Sequence, residues 1–439
     1  MKISEVIVFV IYLVFMLSIG VYFFFKNRSG GEKTYFLGGR QMGPWVTALS
    51  AGASDMSAWV LMGLPTSIYA LGVGQVWISV GLAIGYTISW LVEAPRLRRF
   101  SIVANDSITI PQYLTNRFLS KSKALQIICA VIFLVAYTVY SASSIKACGT
   151  LFETVLGVPA QIAMYAAAVI IVGYTFLGGF NAVCWTDFFQ GMLMLAALML
   201  TPILALFVMK GADFVAPVMA VPENYFNPLS GGGFNWKSVS DILSGLGWGL
   251  GYFGMPHILV RFMSIEKPSM IKKSSIVAII WVVISLFSAV MIAYFGRMIM
   301  GEELLTHGNQ KLVFIAMSRK FFPAGICGLL LAAIIAASIS TADSQLLVAS
   351  SSFTADLYKP FFRKGASEKE TLLIGRVLVL VLSLIAFAIA NSKGSGAQAI
   401  MDMVENAWGA FGSSFGPTIL LSLFWKRFNY KGAVAGVVS

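Results

Sequence analysis

The chain has 439 residues, of which 58% are hydrophobic and 11% are charged, and its mean hydropathy is +0.82. Soluble domains carry charge on about a quarter of their residues, so this composition excludes a soluble globular protein. The formal net charge of +12 does not indicate a nucleic-acid partner, because the basic residues are spread over loops along the whole chain rather than gathered into one patch.

Apolar runs long enough to cross a bilayer recur along the whole chain. The first is too long for the core of a signal peptide and no cleavage site follows it, so we predict a retained helix. The alternating strands of a transmembrane barrel are absent from the sequence. We therefore predict an all-α polytopic membrane protein, one transmembrane domain over 1–439, with spans near 4–25, 43–71, 73–95, 124–148, 159–178, 186–209, 238–260, 274–296, 323–355, 372–390 and 399–425. Another apolar run begins at 432–439 and stops short of a full span, so the chain is expected to be truncated.

The basic residues fall on alternate loops between these spans. Most of the 31 lysines and arginines lie in loops that share one side of this topology, at 26–40, 96–123, 261–273, 359–376 and 426–431. The positive-inside rule makes that side cytoplasmic and places the N-terminus outside the cell. Anionic membrane lipid is the expected contact of these loops on the cytoplasmic side.

Two groups of five spans indicate an internal repeat. Repeat one covers about 43–209 and repeat two about 238–425. Because each repeat has an odd number of spans, the second repeat inserts into the membrane with the opposite orientation. The first span of each repeat is interrupted by small residues, in ALSAGASDMSAW at 48–59 and LSGLGWGLGYFGMP at 243–256. Matched interruptions indicate a substrate site near the bilayer midplane, lined by unwound backbone. For any single glycine, close helix packing is the alternative explanation.

Asp55 lies inside the second span, where an ionisable side chain costs roughly 2.5–3.5 kcal/mol on insertion scales. A salt bridge is one explanation, but the nearest basic residue inside an apolar run is Lys146, close to the outer end of the fourth span. A cation is the better partner, because Ser50, Ser54, Ser57 and the carbonyl groups of a broken helix offer the oxygen ligands that hard cations such as sodium take.

A second polar group interrupts the ninth span, in AASISTADSQLL at 336–347. Serine and threonine in membrane helices often bond back to a carbonyl of their own helix, which is the expectation for Ser338. The adjacent hydroxyl groups of Ser340 and Thr341, followed by Asp343, instead indicate one wall of an ion site.

No enzyme chemistry is predicted. The sequence holds no nucleophile–histidine arrangement, zinc motif or phosphate-binding loop. Its four cysteines stand singly in apolar segments, which suits neither a disulfide framework nor a zinc site. Without an ATP-binding motif, transport by this chain must be driven by an ion gradient.

Five segments give the sequence a strong resemblance to the sodium/solute symporter family, and within it to the proline branch, over essentially the whole chain. They are FLGGRQMGPWVTALSAGASDMSAWVLMGLP (36–65), NDSITIPQYLTNRF (105–118), YTFLGGFNAVCWTDFFQG (174–191), GLGWGLGYFGMPHILVRFMSI (245–265) and AASISTADSQLLVASSSFTADLY (336–358). The resemblance implies the LeuT-like five-plus-five inverted-repeat fold with an extra N-terminal span, in a bacterial inner (plasma) membrane.

The resemblance also implies particular site residues. A sodium site between spans two and nine is formed by the carbonyl groups of Ala53, Met56 and Ala337 and the hydroxyl groups of Ser340 and Thr341, with Asp55 as countercharge. The implied substrate-binding residues are Ser57, Tyr140, Trp248, Tyr252 and Pro256. Arg40 and Asp187 match sensitive positions at the cytoplasmic side, as gating or ion-exit residues.

The implied activity is sodium-coupled symport of L-proline into the cell by alternating access. A zwitterionic imino acid needs donors for its carboxylate and an apolar wall for its ring. Trp248 and Tyr252, four residues apart, can supply that wall and a cation–π surface, although an aromatic pair at this spacing more often serves packing. Transport of another small organic solute, and an uncoupled channel or sensor on the same fold, are the alternatives.

Overall fold

The computed structural model describes residues 3–27, 30–157, 159–208, 221, 224–229, 233–306, 308–392 and 397–439. Within these ranges nearly every residue is helical. The first half of the chain forms α1 (Ile3–Lys26), α2 (Glu32–Leu37), α3 (Pro44–Ala58), a π-helical turn (Trp59–Gly63), α4 (Leu64–Leu71), α5 (Val76–Ile88), a second π-helical turn (Ser89–Glu93), α6 (Ala94–Val103), α7 (Ile110–Arg117), α8 (Ala124–Leu156) and α9 (Ala160–Val208).

The second half repeats the pattern of a broken helix followed by long ones. It forms α10 (Trp236–Gly247), a 3₁₀ segment (Trp248–Phe253), α11 (Pro256–Ser264), α12 (Ile271–Met300), α13 (Glu303–Thr306), α14 (Val313–Phe321), α15 (Ala324–Ser352) with a π-helical continuation (Phe353–Phe362), α16 (Glu368–Ser392), α17 (Ala397–Phe424) and α18 (Tyr430–Val438). Short 3₁₀ turns at Gly38–Arg40, Val73–Gln75, Pro268–Met270 and Gln310–Leu312 join these helices.

Seven helices of the described residues are long and apolar enough to cross a membrane. They are Ile7–Lys26, Val73–Val103, Ala124–Glu153, Ala160–Val208, Pro268–Met300, Ala324–Phe362 and Glu368–Ser392. The one at Ala160–Val208 holds two predicted spans. The broken second and seventh spans and the eleventh span are also helical at their predicted positions, so the polytopic all-α fold class is confirmed.

The predicted spans at 159–178 and 186–209 are not separated by a loop. They form the single helical stretch α9, which is sharply broken at Gly179 (φ 60°, ψ −154°). A positive φ is open to glycine at little cost, so one residue replaces a whole loop. Sequence spacing did not reveal this, because a pair of glycines in an apolar segment also suits helix packing.

Contacts between α9 and α1 show that the chain reverses at this break. Phe23, near the end of α1, packs beside Gly178. Eleven residues after Gly178, Phe189 is back beside Phe15 in the middle of α1, with ring centroids 5.1 Å apart. An unbroken helix would instead have continued past the end of α1. The two halves of α9 are therefore antiparallel, as two separate spans require.

The five basic loops meet at one end of the helical bundle. Lys33 donates to Asp106, and Lys359 donates to Glu32 at 2.6 Å. Longer-range ties run from the guanidinium groups to backbone carbonyls, from Arg40 to Met263 at 2.6 Å and from Arg117 to Ser422 at 3.0 Å. The prediction that these loops share one side is confirmed, and we call this side the basic end.

The centre of the bundle is α15. Every residue from Leu330 to Ser352 is buried, and α1, α3, α8 and α9 surround this helix. Because the break of α3 faces α15, the two polar segments found in the sequence are brought together in the core.

Candidate ion and substrate site

The second span breaks at Ser57. This residue is buried and has a φ of 44° and a ψ of −174°, a conformation that is costly for a residue with a side chain. Its Oγ accepts a hydrogen bond from the N–H of Trp59 at 3.1 Å, so the hydroxyl group satisfies a backbone donor at the break. The π-helical turn that follows is a type of irregularity frequent at functional sites.

The seventh span breaks between Trp248 and Pro256. The 3₁₀ segment ends before Gly254, and Met255 is extended with φ −78° and ψ 103°. Pro256 then starts α11, where its missing N–H leaves no hydrogen bond unmade. Both interruptions predicted from the sequence are therefore present.

Oxygen atoms of α3 and α15 meet beside the first break. The hydroxyl group of Ser340 donates to the carbonyl of Ala53 at 2.8 Å and lies 3.1 Å from the carbonyl of Ala337. The hydroxyl group of Thr341 donates to the same Ala337 carbonyl at 3.0 Å. These four predicted sodium ligands are close together and buried. By contrast, Ser338 bonds back to the carbonyl of Ile334 at 3.1 Å, as predicted.

The fifth predicted ligand, Met56, lies on the neighbouring part of α3. Its carbonyl accepts the N–H of Trp59 and its side chain lines the pocket described below. The oxygen cluster is thus built from carbonyl and hydroxyl groups, a donor set that suits a hard monovalent cation. Among the described residues, no three histidine, cysteine, aspartate or glutamate side chains form a group that could hold a metal ion.

Asp55 connects this oxygen cluster to the second broken helix. Its Oδ2 accepts a hydrogen bond from the hydroxyl group of Tyr252 at 2.5 Å, while its Oδ1 has no hydrogen-bond partner among the described residues. The basic residue considered from sequence, Lys146, donates to the carbonyl of Ala390 at 3.2 Å. Asp55 is therefore a buried carboxylate whose described partner is a neutral hydroxyl group.

A small pocket lies between the two breaks. It leaves about 20 Å³ for the centre of a water-sized sphere, which is less than an amino acid needs. Four predicted substrate residues line it, namely Ser57, Tyr140, Trp248 and Tyr252, whereas Pro256 does not. The other lining residues are Asp55, Met56, Trp59, Leu82, Val404 and Trp408.

Three tryptophan rings cover this pocket. The indole of Trp248 is stacked on Trp59 at 5.5 Å and on Trp408 at 6.4 Å. Trp408 also donates its Nε1 hydrogen to the carbonyl of Trp248 at 2.9 Å and meets Tyr252 edge-on at 5.2 Å. Trp59 and Trp408 were not predicted as site residues, because a single tryptophan in an apolar helix is equally typical of packing or of the membrane interface.

Arg261 does not lie in a loop, contrary to what the predicted end of the seventh span at residue 260 implies. In the structure α11 continues to Ser264, and Arg261 is 1% exposed. Its guanidinium donates to Asp187 at 2.8 Å, to Ser50 at 2.7 Å and to Ser344 at 2.5 Å. Buried charges are tolerated when they are paired and hydrogen-bonded in this way.

Asp187 is consequently tied to two other helices. Its Oδ2 accepts from Arg261 of α11 and, at 2.7 Å, from Ser50 of α3. Asp343 of α15 lies in the same network, because it accepts a hydrogen bond from Tyr174 and another, at 3.1 Å, from Ser344. Asp187 lies inside a predicted span, and such a buried charge is a sequence signal for a partner like Arg261, although Asp55 carries the same signal and pairs with a hydroxyl group instead.

Arg40 joins the start of the second span to the end of the seventh at the basic end. Its guanidinium donates to Asp106 at 2.9 Å and to the carbonyls of Met263 at 2.6 Å and Ser107 at 2.7 Å. Burial by itself raises the pKa of Asp106, but the hydrogen bond from Lys33 and the charge of Arg40 outweigh it and hold that pKa below its usual value. The carboxylate therefore stays charged at neutral pH.

A short backbone pairing reinforces this tie. Met42 and Ile265 form a parallel bridge, in which Met42 donates to the carbonyl of Ser264 and accepts from the N–H of Glu266, both at 3.1 Å. Arg98 adds hydrogen bonds to the carbonyls of Ile265 and Glu266 at 2.6 and 3.0 Å. Together these contacts close the basic end beneath the two broken helices.

Comparison with known proteins gives a consistent result. The model of a family described as sodium:solute symporter matches residues 35–439. The high-affinity proline transporter PutP of Bacillus subtilis is 44% identical over 96% of this chain and 88% of its own length. The sodium/proline symporter of Escherichia coli is 40% identical over 98% of this chain and 85% of its own length.

A solved structure shares the fold. It is a sodium-coupled sialic acid symporter in a substrate-bound, outward-open state, with a TM-score of 0.83 over 100% of this chain and 90% of that chain, at 21% sequence identity. The likeness confirms the LeuT-like fold class.

Proposed function

The chain belongs to the sodium:solute symporter family, and from this premise we propose that it imports L-proline together with sodium by alternating access. Curated relatives named for proline and sodium match nearly its whole length. The observation that carries the proposal is the contact between the two sites, since Asp55 follows the Ala53–Ser340 oxygen contact by two residues and accepts a hydrogen bond from Tyr252 in the pocket. Ion binding and substrate binding then both influence the conformation of α3 at its break.

In this proposal sodium lies between α3 and α15. Its ligands are the carbonyl oxygens of Ala53, Met56 and Ala337 and the hydroxyl oxygens of Ser340 and Thr341. Each hydroxyl group keeps a lone pair for the ion while it donates its hydrogen to a carbonyl. Asp55 supplies countercharge from the adjacent turn, which offsets the cost of a cation in the bilayer core.

L-proline lies in the pocket between the two breaks, held by Ser57, Tyr140, Trp248 and Tyr252, while Pro256 fixes the start of α11 outside the pocket wall. The hydroxyl groups of Ser57 and Tyr140, which line the pocket, are donors that suit its carboxylate. The indole of Trp248 and the ring of Tyr252 form an apolar wall for the pyrrolidine ring and a cation–π surface for the ammonium group. Because the pocket is small, Trp59 or Trp408 must swing away before proline enters.

The topology follows from the charge distribution. We place the basic end in the cytoplasm, the N-terminus outside and anionic lipid beside the basic loops. Repeat one covers about 43–209 and repeat two about 238–425, with α3 and α10–α11 as their broken first spans. Arg40 and Asp187 act as cytoplasmic gate or ion-exit residues, because their hydrogen bonds join the broken helices to their surroundings.

Flux measurements on proteoliposomes test the proposed function. A symporter concentrates radiolabelled L-proline only when an inward sodium gradient is imposed, and unlabelled L-proline competes better than a sugar or another amino acid. Equilibration without accumulation would indicate a channel, binding without flux a sensor, and preference for another solute would replace the substrate. Any of these results contradicts the proposal.

A further inference from the structure

A buried carboxylate that the proposed mechanism does not use lies at the basic end. Asp356 belongs to the π-helical continuation of α15 and is fully buried. Its Oδ1 accepts hydrogen bonds from the hydroxyl group of Thr109 at 3.0 Å and from Nε2 of Gln126 at 2.8 Å. Its Oδ2 and the Oε1 of Gln126 have no hydrogen-bond partner among the described residues. Carboxylate and amide oxygens are ligands that small hard cations take.

A row of polar side chains along α15, which we call the polar seam, leads from the oxygen cluster to this carboxylate. At 3.6 residues per turn, Gln345, Ser352 and Asp356 follow Thr341 on one side of the helix, over about 22 Å, with Val348 between them. The Nε2 of Gln345 and the Oγ of Ser352 are buried without a hydrogen-bond partner among the described residues. On the facing helix α8, the hydroxyl group of Ser141 lies 3.4 Å from the Oε1 of Gln345.

The seam ends beside a cavity of about 390 Å³ at the basic end. Gln126 and Ala355, the neighbour of Asp356, form part of its wall, and its charged lining consists of Lys33, Lys123, Lys359, Glu32 and Glu368. Lys359 is paired with Glu32 and Lys33 with Asp106, whereas Lys123 is exposed. The surroundings are therefore close to neutral, which favours weak binding and rapid release of a cation.

Asp356 also connects the elements that a release step has to move. Thr109, which donates to Asp356, caps α7 by accepting the N–H of Gln112 at 3.2 Å. Gln126 is in the first turn of α8, and Asp356 itself is on the helix that carries Ser340 and Thr341. A cation bound at Asp356 would thus be held between the ion-binding helix and the helices at the mouth of the cavity.

We propose that Asp356, together with Gln126, forms a second, transient binding site for the transported sodium ion on its way from the α3–α15 cluster to the cytoplasm. The inference rests on the sodium coupling and the orientation proposed above. Water from the cavity completes the coordination of the ion. Because this site faces the cytoplasm, it governs the action of internal sodium and leaves the affinity for external sodium to the cluster around Ser340.

Sodium titrations from the two sides of the membrane separate these effects. In right-side-out vesicles loaded with increasing sodium, internal sodium inhibits proline uptake by occupying the release route. Removing the carboxylate in Asp356→Asn should raise the internal sodium concentration for half-inhibition by at least about tenfold, since one close charge is lost. The external sodium concentration for half-maximal uptake should change by less than about twofold, because that site lies about 22 Å away.

Two further variants complete the test. Ser351→Ala is the matched control, because its hydroxyl group bonds back to the carbonyl of Val348 at 2.9 Å and both titrations should match the unsubstituted chain. Gln126→Glu adds a carboxylate, so internal sodium should inhibit at lower concentrations. This variant decides the matter alone if Asp356→Asn does not reach the membrane.

If internal sodium inhibits Asp356→Asn and Gln126→Glu at the same concentration as the unsubstituted protein, the inference is overturned. Equal shifts in the internal and external sodium requirements would overturn it too, because they indicate a structural role. Failure of the proposed function gives a different result, because vesicles that contain the unsubstituted protein would then show no sodium-dependent proline uptake at all.

Discussion

At the scale of single residues, Asp55 is the position where the two proposed sites meet. A buried carboxylate with one neutral partner is costly, and the hydrogen bond from Tyr252 satisfies one of its oxygens. A sodium ion in the adjacent oxygen cluster would reduce that cost. Proline bound against Tyr252 would change the hydrogen bond that Tyr252 donates to Asp55. Coupling between ion and substrate therefore requires no contact beyond this side chain.

Asp55→Asn tests the countercharge. The substitution keeps the shape and removes the charge, so the sodium concentration for half-maximal proline binding should rise about 10–100-fold, and proline affinity at fixed sodium should fall because coupling is reciprocal. Equilibrium binding of labelled proline across a sodium series measures both. Tyr252→Phe is the matched control, since it removes the hydrogen bond and leaves the charge, and its sodium shift should be smaller. Equal sodium dependence in Asp55→Asn and the parent would disprove the countercharge.

Thr341 tests whether a hydroxyl group of α15 binds the ion or only its own helix. If the oxygen is a ligand, Thr341→Ser should bind sodium nearly as the parent does, while Thr341→Val, which keeps the shape, should need several-fold more sodium. Helical back-bonds in membranes contribute only modestly, so a residue that merely bonds to Ala337 would tolerate valine. Sodium titration of proline binding distinguishes the two, and Ser338→Ala should resemble the parent. If valine behaves like threonine, position 341 serves packing.

At the scale of helices, the sequence predicted those features that depend on local chemistry. The breaks at Ser57 and before Pro256 follow from small residues and proline within a few positions. Features that depend on distant partners were missed. Trp408 covers the pocket together with Trp248, which lies 160 positions earlier in the chain, and Arg261 is buried because Asp187 of α9 pairs with it. A single chain sequence carries no record of such pairings.

The aromatic cover of the pocket is expected to decide proline affinity. Trp248→Ala removes the central ring of the stack and Tyr140→Ala removes a facing wall, so each should weaken proline binding at saturating sodium by about tenfold or more, in keeping with the loss of a buried aromatic contact. Trp425→Ala, at the exposed basic end, should bind proline normally. Isothermal titration calorimetry with L-proline at high sodium measures the change in affinity. Normal affinity in both pocket variants would place the substrate elsewhere.

Close backbone contact between the third and seventh spans explains part of the glycine content. A Cβ at Gly85 would lie 2.0 Å from the carbonyl oxygen of Gly249, and backbone on both sides cannot yield. We expect Gly85→Ala to cost at least about 1–3 kcal/mol, as overpacking does, and to lower the amount of folded protein in a detergent thermal-stability assay. Gly409→Ala, which meets nothing within 4 Å, is the control. Equal stability of the two variants would contradict this account of the packing.

At the scale of the whole molecule, charge and polarity are distributed along the axis of the bundle. The basic loops are tied together at one end by Arg40, Arg117 and Lys359. At the opposite end, Tyr69 donates to the carbonyl of Gly301 at 2.7 Å and Trp77 to the carbonyl of Pro228 at 2.9 Å, beside an ion pair between Arg297 and Glu302 at 3.1 Å. Alternating access has to break the ties of one end while the other remains closed.

Cysteine labelling tests which end faces the cytoplasm. The native cysteines Cys129, Cys148, Cys184 and Cys327 are all buried, so a membrane-impermeant maleimide should leave the unsubstituted chain unlabelled. Phe234 is 82% exposed at the end opposite the basic loops, and the side chain of Lys267 is 65% exposed at the basic end. Because positive charge is retained in the cytoplasm, Phe234→Cys should react in intact cells, whereas Lys267→Cys should react only after the membrane is permeabilised. The reverse pattern would place the N-terminus inside and turn the proposed exit route at Asp356 into an entry route.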